Sequence, residues 1–419
     1  GDNKLTGLDV KNNTALSLLD CRINKITMLD VSKNASLTTL ICVDNEYEVL
    51  DLSNNKELIS LSCGGDNMTS IDVSNNTKLD FLQCSGSKLT SIDVSNNFYL
   101  ESLICDGCKL AGLNVSKNVN LKELNCGTVL SENEITQLNL SKNTKLETLY
   151  CCNNKLTELD LSNNSALQHL SCKGNDLTSL DLSNNKNLCD LYCSDNKLTT
   201  INVKGCKGIQ KLECNNNKLT ELDLSGLFSE IVLDSEMMEG LHSSGMLRFT
   251  LDCSNNELTN LNVGSSVQLE VLNCDGNKLP ALDVSKNTKL ISLSCGDNLF
   301  ESLDVSKCTD LEELWCIGKC DSNYVGSGIV TDINVEGCDK LKELYCGYNK
   351  ISSLDISNCI GLEKLYCYNN LLTSLNVTKC TNLQELNCME NQLTSLDISK
   401  CPNLTLLQYD NDKVTLIEN

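Results

Sequence analysis

Twenty-seven cysteines are the residues of this 419-residue chain best equipped for chemistry. Thiolates act as nucleophiles, redox partners and zinc ligands. Cys105-Asp-Gly-Cys108 has the spacing of a redox C-x-x-C pair. A second candidate is a row of aspartates that starts at Asp9, Asp30 and Asp51 and runs onward to Asp397. Such a row suggests a stripe for calcium or another cation. Only two histidines are present, His169 and His242. The spacing implies no Cys or Ser partner for either of them. The chain contains no Gly-rich phosphate loop, H-E-x-x-H or G-x-S-x-G.

The spacing of these residues gives most of them a structural reason. Seventeen cysteines recur in the pattern Leu-x-x-Leu-x-Cys, from Cys21 and Cys42 to Cys388, and Tyr409 takes the next slot. Thirteen of the sixteen steps are 21 residues, and the other three carry insertions of 4, 18 and 9. Each 21-residue turn has two similar halves, L-x-x-L-x-C-x-x-N and L-x-x-L-D-V-S-x-N. Alternate residues of each half point to one side, as in a short strand. An inward Asn at the following bend can bond backbone groups left unpaired there, turn after turn. Ten residues per half-turn hold one strand and one bend, with no room for a helix.

The expected fold is therefore mainly β, a solenoid of about 18 turns with few or no helices. One face carries a parallel β-sheet and the other a second, short-strand face. At ~4.8 Å per turn it would extend roughly 85 Å. It reads as a single domain over 1–419, with insertions near 127–132, 226–250 and 317–328. In the long insertion, Ile231–Leu233 and Met237–Met238 suggest packing against the turns.

In this frame the ladder cysteines are small apolar fillers. Neighbouring turns lie within disulfide range, but their side chains run parallel, which does not suit the bond's dihedral near 90°. Cys108 takes an Asn slot. Cys206, Cys308, Cys338, Cys359, Cys380 and Cys401 take the second-bend slot, a line that lacks the tetrahedral convergence of zinc. Only Cys152, Cys189 and Cys320 lie outside the plan, and Cys320 is expected to be the most reactive. The aspartate slot is Asp in twelve turns and Asn in six. Asn keeps the acceptor and loses the charge, so the row is expected to tie adjacent turns together by hydrogen bonds. Its regularity lacks the asymmetry that acid/base chemistry needs. No catalytic residue, metal ligand or cofactor is expected, and the chain reads as a non-enzyme.

The outward slots carry the functional signal. Trp315, Tyr345 and Tyr366 take one outward position on three consecutive turns, where other turns place mostly small or polar residues. Tyr348 and Tyr368 follow in the adjoining bends, and Tyr324 lies in the nine-residue insertion. Tyr150 and Tyr192 share the outward slot two turns apart. Two readings stand together. Cross-strand stacking would stiffen the sheet by ~0.2–1 kcal/mol per pair. Equally, Trp and Tyr are the residues that anchor binding partners.

Charge narrows the partner. A net charge of −22 with two arginines, Arg22 and Arg248, argues against nucleic acid and anionic membrane. No apolar run approaches the ~18 residues of a membrane span.

The L-x-x-L-x-C-x-x-N-x-L turn, its 21-residue period and its L-T-x-L-D-V-S-x-N half resemble leucine-rich repeats of bacterial surface proteins of the internalin type. Unlike that family's plan, no helical cap is seen before Leu5 and no sorting signal after Val414. The resemblance implies an extracellular or cell-surface binding protein, adhesin-like, that recognises a host or cell-surface protein or glycoprotein. The alternatives are an intracellular acidic inhibitor of a basic enzyme, a glycan-binding module on the aromatic platform, and a passive spacer rod.

Overall fold

The computed structural model describes residues 2–130, 133–229, 248–319 and 328–418. The chain divides into two compact units, Gly1–Cys206 and Lys207–Asn419. Each is a parallel β-solenoid of nine turns, and the described residues contain no helix.

In the first unit the sheet runs from Leu18–Asp20 to Asp190–Tyr192 in three-residue strands. The 21-residue period puts identical slots in register, so Leu19, Leu40 and Leu61 are direct neighbours. The second unit repeats this, with Leu293, Leu314, Leu344 and Leu365 in line. These leucines and the cysteines two residues on are buried. Burying one such Leu side chain contributes ~1.5–3 kcal/mol. The ladder Cys also extends the backbone pairing. Cys42 N–H donates to Ser62 O at 2.8 Å and Cys295 N–H to Trp315 O at 2.8 Å.

The opposite face is paired more sparsely. Strand pairs form at Leu8–Asp9 with Leu29–Asp30 and Ser179–Asp181 with Thr200–Asn202 in the first unit. In the second they form at Ser302–Asp304 with Asp332–Asn334 and Ser395–Asp397 with Thr415–Ile417. In paired and unpaired turns alike, the N–H two residues after the aspartate slot bonds the Asp side chain, as from Ser53 to Asp51 Oδ1 and from Ser183 to Asp181 Oδ1, each at 3.0 Å.

The bends are held by two side-chain columns. At the first bend, Asn45 Nδ2 donates to Cys21 O and Cys42 O at 3.1 Å, and its Oδ1 accepts from Ile26 N–H at 3.0 Å. At the second, Asn164 Nδ2 donates to Leu140 O at 3.2 Å and Asn143 O at 2.8 Å. Its buried Oδ1 has no partner, and the same holds for eight other Asn of that column. Cysteine does the donor's job there without an orphaned acceptor. Cys206 Sγ lies 3.3 Å from Leu182 O, and Cys338 Sγ 3.4 Å from Val305 O. This explains why Asn and Cys exchange at one slot.

Only the ends of the long insertion are described. Leu227 fills the second-bend slot, and Phe228 and Phe249 are buried. Ile231–Leu233, Met237–Met238 and His242 lie outside the described residues.

Candidate functional site: an aromatic stack on the second unit's sheet

The rings of the second unit meet as the period requires. Trp315 ends the strand Glu313–Trp315, Tyr345 ends Glu343–Tyr345 and Tyr366 ends Lys364–Tyr366. Register makes Trp315 the direct neighbour of Tyr345, and Tyr345 that of Tyr366. Trp315 and Tyr345 stack with centroids 3.7 Å apart and planes 10° apart. Tyr345 and Tyr366 stack at 4.8 Å and 13°. All three rings are half-buried.

Acidic residues surround the stack. The Tyr366 hydroxyl donates to Glu385 Oε2, and that bond, with burial, pushes the phenol up to about 12. Burial and Glu343 push Tyr345 up to about 12. Glu343 also pairs with Lys364 at 2.9 Å. Both phenols thus stay protonated at neutral pH and remain donors.

Tyr348 and Tyr368 form a second pair at the bend, edge to face at 5.1 Å and 85°. A Cβ at Gly347 would lie 2.8 Å from the Tyr368 ring, so Gly347 lets that ring lie close to the backbone. Tyr348 has φ +57°, a left-handed bend conformation rare for an aromatic residue. Tyr150 and Tyr192 belong to the first unit, with Ser171 between them in register. Tyr324 lies outside the described residues.

Beside Trp315 the surface opens into a cleft of about 200 Å³. Asp275 and Asp297 line it, and neither was among the residues singled out from the sequence. Asp275 accepts from Ser294 Oγ and from Gly296 N–H at 2.5 Å. Burial pushes its carboxyl up, the two hydrogen bonds lower it, and Asp252 and Asp297 raise it further. Asp297 meets Lys319 Nζ at 3.6 Å. A signal was present in the sequence: Gly276 and Gly296 occupy neighbouring bends next to the single Trp.

The remaining chemistry-bearing residues are engaged in the turns. Among the described residues every cysteine is a free thiol, and all but Cys189 are buried. Burial raises Cys42 and Cys126 to about 12 and Cys338 to about 11. Cys108 sits in its Asn slot, with Sγ 3.4 Å from Cys84 O and 3.1 Å from Ser87 Oγ. Cys152 is buried against Ser171, 2.9 Å from its Oγ. Cys320 lies outside the described residues.

The aspartate row is corrected in one respect. Its oxygens are acceptors, but they chiefly hold their own bend; Asp181 also ties to the adjacent turn, its Oδ1 accepting from Asn202 Nδ2 at 2.9 Å. Asp30 Oδ1 accepts from Ser32 N–H at 3.0 Å, and Asn114 does the same for Ser116 at 3.1 Å. The Ser32 hydrogen bonds hold the Asp30 carboxyl below its usual value, and Ser53 does so for Asp51. The reason is reach: an Asx side chain spans two residues along its own chain at almost no entropic cost. His169 pairs with Asp190 at 2.8 Å, which raises the imidazole's pKa.

A leucine-rich-repeat family model (two copies) matches residues 339–379. No curated protein matches the chain. Among solved structures, the functional domain of InlJ from Listeria monocytogenes, which includes a cysteine ladder, is 30% identical. The match covers 93% of this chain and 71% of that one, with a TM-score of 0.62. The internalin InlF of the same organism is 22% identical over 77% of this chain and 90% of that one, with a TM-score of 0.57. The plant peptide hormone receptor RGFR1, solved in complex with RGF2, shares the fold at 20% identity. That match covers 97% of this chain and 72% of that one, with a TM-score of 0.69. With the ladder, the register and these likenesses together, the chain belongs to the internalin-type leucine-rich-repeat proteins.

Proposed function

We propose that this chain is a non-enzymatic binding protein of the cell surface or extracellular space. It recognises a protein or glycoprotein through the sheet face centred on Trp315, Tyr345 and Tyr366. One observation carries the reading. The stack of half-exposed rings stands at a slot where in-register neighbours are Ser294 and Asn387, so the turn itself does not demand an aromatic residue there. Large rings with a polar tip lose little conformational freedom on binding and dominate interface hot spots. Two relatives support it by analogy: InlJ, through the shared ladder, and RGFR1, through a fold that holds a peptide hormone. Among the described residues no helix is long and apolar enough to cross a membrane.

The test uses peptides selected on the wild-type chain from a phage-displayed library. The Trp315→Ala/Tyr345→Ala chain is expected to bind them at least tenfold more weakly, the scale of one or two hot-spot residues. Undiminished binding across the selected peptides would place the interface elsewhere.

A further inference from the structure

We propose that the cleft beside Trp315 is a pocket for the guanidinium of one arginine on a partner polypeptide. The proposal rests on the aromatic face being the interface and adds the chemistry of what enters it.

The geometry starts with the indole. One face of Trp315 is covered by Tyr345 at 3.7 Å. Its in-register neighbour on the other side is Ser294, whose side chain is too small to cover an indole. The cleft of about 200 Å³ lies on that side. Two glycines keep it open. A Cβ at Gly276 would lie 2.5 Å from Asn255 Oδ1, and one at Gly296 2.2 Å from Ile317 O. Gly296 therefore packs against the backbone of the next turn and Gly276 against the Asn255 side chain, and neither glycine adds a side chain to the space.

The walls carry charge of one sign. Asp275 is fixed by Ser294 Oγ and Gly296 N–H, so its carboxylate is held in place before any ligand arrives. Asp297 stands on the next turn and already attracts a cation, Lys319 Nζ at 3.6 Å. Both partners of that pair are well exposed, so an incoming cation can compete for the carboxylate at small cost. Asp252 adds to the same negative field. The whole chain carries −22, which steers basic segments toward it.

An aromatic face beside carboxylates selects arginine over other side chains. A planar guanidinium stacks on an indole and still directs its N–H groups at carboxylates in its plane. An ammonium offers the charge without the plane. An anionic or neutral residue meets like charge or unpaired carboxylates.

The single Trp of the chain is the probe. End-blocked tetra-arginine is titrated at low ionic strength, with end-blocked tetra-citrulline as the uncharged isostere. The expected result is a saturable change in Trp315 emission with arginine and none with citrulline. Asp297→Asn, at a half-buried bend position with φ +45° that Asn tolerates, is expected to weaken binding about tenfold. Asp275→Asn with Asp297→Asn should abolish the response. No saturable change, an equal response to citrulline, or unchanged affinity in Asp297→Asn overturns the proposal. The library peptides separate the two readings. If they lose binding on Trp315→Ala/Tyr345→Ala but keep it on Asp297→Asn, the interface stands and the arginine pocket falls. If they ignore both variants, the interface reading itself has failed.

Discussion

Two columns of the second unit use uncommon residues in opposite ways. At the second bend Cys308, Cys338 and Cys401 are buried, each with its sulfur near a carbonyl of the preceding turn. On the sheet face of the same region Trp315, Tyr345 and Tyr366 are half-exposed and stack on one another. The inward column answers to the turn: it must supply a small donor, and the first unit supplies Asn164 or Asn185 for the same task. The outward column answers to nothing inside the turn. A residue type that the fold explains is weak evidence for function, whereas one that the fold merely tolerates is strong evidence.

The largest expected effect attacks the inward side. Burial holds Cys338 and Cys380 at about 11 and Cys42 at about 12, above the ~8.5 of a free thiol. A thiol raised in the folded state favours folding fully below its unfolded value. That contribution is lost as pH rises toward the folded value, at about 1.4 kcal/mol per pH unit for each thiol. With so many buried thiols, unfolding is expected between about pH 9 and 11. Far-UV circular dichroism against pH checks this, and a fold unchanged at pH 11 would break the buried-ladder half of the comparison.

A smaller effect separates Asn from Cys within the inward role. Asn164→Ala removes both donors to Leu140 O and Asn143 O and is expected to cost about 2 kcal/mol. Asn164→Cys restores one donor and removes the orphaned oxygen, so it should cost about half as much. Hydrogen exchange of the adjoining turns reads such losses locally. Equal losses for the two variants would contradict the shared-donor explanation. Smallest of the three, Cys338→Ala takes away one weak donor and about one atom of packing, for roughly 1 kcal/mol. Urea unfolding measures it, and a loss as large as that of Asn164→Ala would mean the sulfur does more than donate.

Most of the fold was legible because it is periodic. The 21-residue step alone puts Leu314, Leu344 and Leu365 in register and places Trp315, Tyr345 and Tyr366 on one outward line. What was not legible depends on distances below that of the period. Asp30 sits in the same slot whether it bonds its own bend or the next turn, and only the side chain's reach decides. Asp275 reads as one more bend residue. Its burial follows from Ser294 and Gly296 packing over it, a relation between turns that no single repeat contains. Tyr366 was singled out and Glu385 was not, because their hydrogen bond depends on the register plus the length of the two side chains.

The most direct measurement takes both readouts on one protein, the Trp315→Ala/Tyr345→Ala chain: urea unfolding and binding of the library-selected peptides. Two ring pairs at about 1 kcal/mol or less each limit the expected stability loss to about 2 kcal/mol. Binding by the fully folded variant should fall at least tenfold. Peptide binding that survives in the folded variant, or that falls only as far as the variant unfolds, would make the stack a strut of the sheet and not its interface.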